Sequence, residues 1–130
     1  MIEENEVGVQ ERLARFATAS SHLRTDNTPR PALFLPAPHV ELSVTSHKGL
    51  TEQELWEIGK TVTKQIGPER TLYGRADVVC GDYQKQKLRV ISDPVVGNPN
   101  HCNVVDWPAD KSAQMLIAAE IAKVATGQRL

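Results

Sequence analysis

The 130-residue sequence predicts an α+β domain: a small, mainly antiparallel sheet with two helices, about 52–66 and 109–126, packed on it. Three observations carry this expectation. Several short stretches alternate apolar and polar residues with period two. Two longer stretches repeat apolar residues at steps of three and four between helix start and stop signals. The elements run strands, helix, strands, helix, without the regular alternation of a doubly wound fold.

Taken in order, the first eleven residues carry Glu3, Glu4, Glu6 and Glu11 and few large apolar side chains. Residues 1–11 are therefore expected to be a flexible acidic segment leading into one domain over 12–130. In QERLARFATASSHL, Leu13, Phe16 and Ala17 would fit one helical face. The Ser and Thr density after Phe16 does not suit a helix interior, which favours a strand within Leu13–Ala19. TPRPALFLPAP holds Pro29, Pro31, Pro36 and Pro38. So many fixed φ angles and missing donors exclude a central strand. The segment reads as a stiff connector, extended through Leu33, Phe34 and Leu35, in preference to a polyproline ligand. HVELSVTSH then sets Val40, Leu42 and Val44 against Glu41, Ser43 and Thr45, the pattern of a half-buried strand.

The next element is the most strongly specified. Thr51 and Glu54 have the spacing of a capping box, and Leu50 with Leu55 that of a hydrophobic staple. Leu55, Ile58, Val62 and Ile66 make the core stripe, and Gly67–Pro68 closes the helix, with Gly67 expected in a left-handed cap. Leu72, Ala76, Val78 and Val79 suggest a strand around Ala76–Val79, broken at Gly81–Asp82; GDYQKQ is either a helical turn or a hairpin loop. KLRVIS is a strand with Lys87 and Arg89 outward, DPVVGNPN a loop, and HCNVVDW a strand. The second helix starts at Pro108 or Asp110 and ends at Gly127, with Ala113, Ile117, Ile121 and Val124 as its stripe and Leu116 beside it.

Charge and composition narrow the functional classes. With 15 Lys+Arg against 16 Asp+Glu, the net charge of -1 gives no global field for nucleic acid or an anionic membrane. Arg12, Arg15, Arg24 and Arg30 form one loose basic stretch and Lys85, Lys87 and Arg89 another, but aromatic residues for base stacking are only 5%. These read as solvated faces, and nucleic acid is not indicated as a partner. No apolar run approaches the roughly 20 residues that cross a bilayer, so no membrane partner is expected. The N-terminus, MIEENEV, is acidic where a secretory leader would be basic. Cys80 and Cys102 lie in no metal-binding spacing and are expected to be free thiols in a cytoplasmic setting.

Histidine is the first candidate for acid–base work near neutral pH. His39 and His101 each stand at the start of a predicted strand, where adjacent strands would bring two imidazoles to one rim. Paired-histidine phosphoesterases place Ser or Thr two residues after each His; here those positions hold Glu41 and Asn103, so the hydroxyls that would bind phosphate are missing. A metal site is not expected. His101 and Cys102 point to opposite faces of a strand, and His39 and His47 would lie about 26 Å apart if extended. No cofactor is implied. In YGRAD, Arg75 and Asp77 share strand parity: they either pair with each other, or Arg75 holds an anionic ligand bidentately.

The segments ELSV, LTEQELWEIG, LYGRAD, NPNHCNVVDWPADKSAQ and AAEIA resemble a group of small bacterial proteins that have no assigned activity. The resemblance covers most of the chain after residue 12 and implies a compact bacterial cytosolic protein, but it brings no catalytic residues with it. The residues lead to a non-enzymatic binding or interaction protein, with self-association through a sheet edge. The rival is a hydrolase or nuclease-like enzyme on a phosphate-bearing substrate. In it His101 and His39 would be the acid–base pair, Arg75 the anion holder, and Asn103 or Asp106 an orienting residue.

Overall fold

The computed structural model describes residues 5–38 and 40–130. It is an α+β fold. Six strands, β1 (Arg12–Ala17), β2 (Leu42–Ser46), β3 (Gly74–Val79), β4 (Arg89–Ser92), β5 (His101–Val105) and β6 (Thr126–Arg129), form one sheet in the order β4-β5-β2-β1-β3-β6. Every pairing is antiparallel. Helix α1 (Glu52–Ile66) packs on one face; α2 (Cys80–Lys85), α3 (Lys111–Val124) and a 3-10 turn at Pro31–Phe34 pack on the other.

The two faces hold unequal cores. On the α3 face, Leu13, Leu42, Val44, Ala76, Val78, Val90, Cys102 and Val104 point into a large cluster with Leu33, Phe34, Tyr83, Ala118 and Ile121. On the α1 face the buried cluster is only Ala14, Phe16, Leu55 and Leu72, with Leu50, Trp56, Ile58 and Val62 packed around it. The alternation of each strand decides which face a residue serves. Thus Cys102 and Val104 are core, while His101 and Asn103 project on the α1 side.

Helix α1 runs over Glu52–Ile66 as its local signals specify. Thr51 Oγ1 accepts from Glu54 N–H at 3.1 Å, and Glu54 Oε1 accepts from Thr51 N–H at 2.8 Å. Its buried line, however, is Leu55, Gly59 and Thr63, and Ile66 is 58% exposed. The Phe16 ring rises from β1 against Gly59, where a Cβ would lie 2.7 Å from Phe16 Cε1, so the helix turns its glycine to the sheet. Gly67 is extended, at φ −171°, not left-handed; Pro68 stops the helix without that cap.

Other expectations are corrected. The second helix spans Lys111–Val124 with Asp110 as N-cap, and Thr126–Arg129 continues as β6. That helix buries Gln114, Ala118 and Ile121, while Leu116 and Val124 are exposed. Nine of its fourteen residues are apolar, so periodicity could not select a face. The proline-rich connector packs Leu33 and Phe34 into the core through a 3-10 turn, not an extended run. Of the two readings of GDYQKQ, the helical one is realised, within α2 and its C-terminal cap. Val40 sits at φ 65°, and β2 starts only at Leu42.

Residues 5–11 of the acidic segment lie against the domain. Val7 N–H donates to Val90 O at 3.0 Å, and Ser92 N–H to Asn5 O at 2.8 Å, so this stretch borders β4 on its outer edge. Val7 is buried, and Glu11 O accepts from Cys80 N–H. An edge strand covered this way cannot template pairing with another chain.

Candidate functional site

Helix α1 covers the β1 and β3 part of its sheet face and leaves β2, β5 and β4 open, with Ser43 exposed and Asn103 and Ile91 half-buried. The register aligns Asp77, Ala14, Thr45 and His101 in one row across β3, β1, β2 and β5. One end of the row lies under the helix and the other lies beyond it.

Under the helix, Arg75 and Asp77 form a closed charge network. The Arg75 side chain is 1% exposed and that of Asp77 2%. Arg75 Nε donates to both Asp77 oxygens at 3.0 and 3.1 Å. Its Nη1 and Nη2 donate to the two Glu52 oxygens at 3.0 and 2.7 Å. The guanidinium carbon stacks 4.6 Å above the Trp56 ring centroid. His47 Nε2 lies 2.9 Å from Asp77 Oδ1. Burial alone would raise the Asp77 carboxyl, but the hydrogen bonds from His47 and Arg75 outweigh it and hold it below its ordinary value. The Arg75 hydrogen bond holds Glu52 below its ordinary value as well. Of the two sequence readings of YGRAD, the pairing one is realised; an anion could reach the Arg75 fork only by displacing Glu52, which is itself 63% exposed.

Beyond the helix lies a cleft of about 300 Å³, between the C-terminal half of α1 and the open sheet. Phe16, Val62, Ile66 and Val95 give it apolar walls, and Thr45, Asn98 and His101 add polar groups. The loop after β4 closes its far side. Gly97, at φ 86°, brings that loop so close to α1 that a Cβ would lie 2.5 Å from Gln65 Nε2, which donates to Val96 O at 3.1 Å. Asn98 is buried and fixes the lining, donating from Nδ2 to Thr45 Oγ1 at 2.8 Å.

His101 is oriented by Asp93. Its Nδ1 lies 2.7 Å from Asp93 O and 3.4 Å from Asp93 Oδ2. A carbonyl can only accept, so Nδ1 carries the proton and Nε2 of the neutral ring is left with its lone pair. Asn103 Nδ2 donates to Asp93 Oδ2 at 2.9 Å, so His101 and Asn103, both outward on β5, approach the same carboxylate.

The edge between β1 and β2 shapes the cleft. The two strands pair only at Leu13–Ser46 and Ala14–Thr45, whereas β1 and β3 pair over six residues. Past Ala14 the ladder ends, and Arg15 bridges the opening: Nε donates to Leu33 O at 2.9 Å and Nη1 to Ser43 O at 3.0 Å. The side chain thus serves one strand carbonyl, that of Ser43, and one carbonyl of the 3-10 turn, that of Leu33.

The sequence-selected residues do not gather in one place. His39 lies outside the described residues. His101 and Asn103 stand together at the cleft side of β5. Arg75 is on β3, three strand spacings or about 14 Å away, and engaged by carboxylates. Asp106 lies past the other end of β5, at φ 71°, paired with Arg89 at 2.7 Å. Asp93 and Arg15 are the residues that sequence reasoning missed. Asp93 reads as turn chemistry before Pro94. Arg15 carried a signal: a charge between Leu13 and Ala17, at core-facing parity in a strand.

Both thiols are pushed up to about 11, chiefly by burial, with Glu11 adding to each. Neither is a nucleophile near neutral pH. Among the described residues no three His, Cys, Asp or Glu side chains form a metal-holding group, and no helix is long and apolar enough to cross a membrane. No family model, curated protein or solved structure matches this chain.

Proposed function

We propose that the protein is a small, non-enzymatic binding protein and that the cleft between α1 and the open half of the sheet is its ligand site. The cleft itself carries this reading: it is concave, its exposed surface is mainly apolar, and polar side chains including Thr45, Asn98 and His101 are set around it, a make-up that suits a small-molecule site. The sealing of Arg75 and the unreactive thiols support binding over catalysis. Val62→Trp would fill the cleft from its helical wall. A ligand-observed magnetic-resonance fragment screen should find compounds that bind wild type and lose binding to this variant. Compounds that bind both proteins equally would place the ligand site elsewhere.

The proposal extends to self-association in a bacterial cytoplasm; the two free buried thiols fit a reducing compartment. With β4 bordered by residues 5–7, two copies would pair through β6. Light scattering that returns the mass of one chain removes this part.

One observation favours the hydrolase reading as the second: the Asp93-held tautomer leaves Nε2 of His101 able to take a proton. Phosphodiesterase and nuclease activity that disappears in His101→Ala supports it, and equal activity in wild type and variant ends it.

A further inference from the structure

We infer that the cleft takes an oxyanion on an apolar body, a carboxylate or phosphate monoester, held by Arg15; this rests on the cleft being the ligand site. Arg15 lines the cleft and hydrogen-bonds the carbonyl of Ser43, another lining residue. Its partners are two backbone carbonyls, and no carboxylate among the described residues pairs with it. The contrast with Arg75, which has two carboxylates, is direct. A guanidinium has five N–H donors in a planar fork, and two carbonyl contacts leave part of that fork open.

The surroundings have the same sign. Burial pushes Arg15 below its ordinary value, and Tyr83 opposes this only in part. His22 nearby has a buried Nδ1 without a hydrogen-bond partner. Its imidazole is depressed first by burial and then by two cations, Arg15 and Arg70. Asp93, which neighbours the lining residue His101, is engaged already: its carbonyl accepts from His101 and its carboxylate from Asn103. A partly desolvated cation without a counter-ion gains most from an anionic ligand, and a guanidinium fork matches the two oxygens of a carboxylate or phosphate. Phe16, Val62, Ile66 and Val95 would take the apolar body.

The test titrates the protein with benzoate, phenyl phosphate and neutral benzamide and follows backbone amide signals. Benzoate or phenyl phosphate should shift Thr18, Ser43, Val62 and Gln65, and benzamide should bind about tenfold more weakly or worse, the scale of a charge-assisted contact. Whichever anion binds more tightly identifies the headgroup. Arg15→Met should abolish the preference and Arg15→Lys should keep part of it. The wild-type comparison stands alone if Arg15→Met does not fold. Equal binding of benzamide and both anions at the cleft overturns the anion inference and leaves the cleft as the site. Cleft signals that respond to none of the three compounds overturn both.

Discussion

The α1 face of the sheet is two surfaces on one set of strands. Its covered half places Arg75 and Asp77 under a helix, and every strong charge there is answered by another: Glu52, His47 and the face of Trp56. Its open half places Thr45, His101 and Asn103 on the same row and the next, with the helix absent and a cleft alongside. The residue types are similar, but what covers them differs. Where a helix seals polar groups they must satisfy one another, and they become structure. Where no helix comes down, the same alternation sets polar groups beside the cleft, where the proposed ligand would meet them.

The largest way to break the comparison is Arg75→Ala. It strands Asp77 in the interior and removes the Glu52 and Trp56 contacts of α1 with β3. Removing one partner of a buried pair costs about 3–5 kcal/mol, a large part of the stability of a domain this size. Urea denaturation should show this loss, and Arg75→Lys should recover little, because a point charge cannot serve two carboxylates bidentately. The pH dependence has a definite sign. Asp77 and Glu52 are both held below their ordinary values of 3.8 and 4.5, so their contribution is present above those values and is lost as pH falls through the lower folded values. Acid titration of stability should steepen below about pH 4.5, and Arg75→Ala should flatten that limb.

Gly59→Ala is a smaller break on the same half. Alanine favours an isolated helix by about 1 kcal/mol, but here its Cβ would meet the Phe16 ring. Overpacking typically costs about 1–3 kcal/mol, so the variant should be less stable despite the better helix former. A thermal melt with a midpoint above wild type would show that Phe16 can move aside.

These positions also mark what the sequence could convey. The bounds of α1 were legible because cap, staple, stripe and proline are local and agree. The face it buries was not, because Phe16 comes from a strand more than forty residues earlier. Strand β6 was missed because TGQR carries no apolar alternation; it is a strand because β3 offers it an edge. At the site, alternation separated His101 and Asn103 from Cys102 correctly. The charge pair Arg75–Asp77 was visible as parity, but Glu52, which completes it, arrives with a helix from another part of the chain. Asp93 meets His101 only through the pairing of β4 with β5.

On the open half the effects should be small. His101→Ala removes one hydrogen bond to a main-chain carbonyl and part of the cleft wall, a loss of about 1 kcal/mol. Asn103→Ala sharpens the comparison most. The Asp93 carboxylate to which its amide donates is half exposed and can be rehydrated when the amide is removed. The change in stability should stay within about 0.5 kcal/mol, as for a surface site. Chemical denaturation of this variant beside Arg75→Ala measures both halves on one scale. A cost for Asn103→Ala approaching that of Arg75→Ala would mean that the open half is held together by the same closed pairing as the covered half. It would then have no polar groups to spare for a ligand.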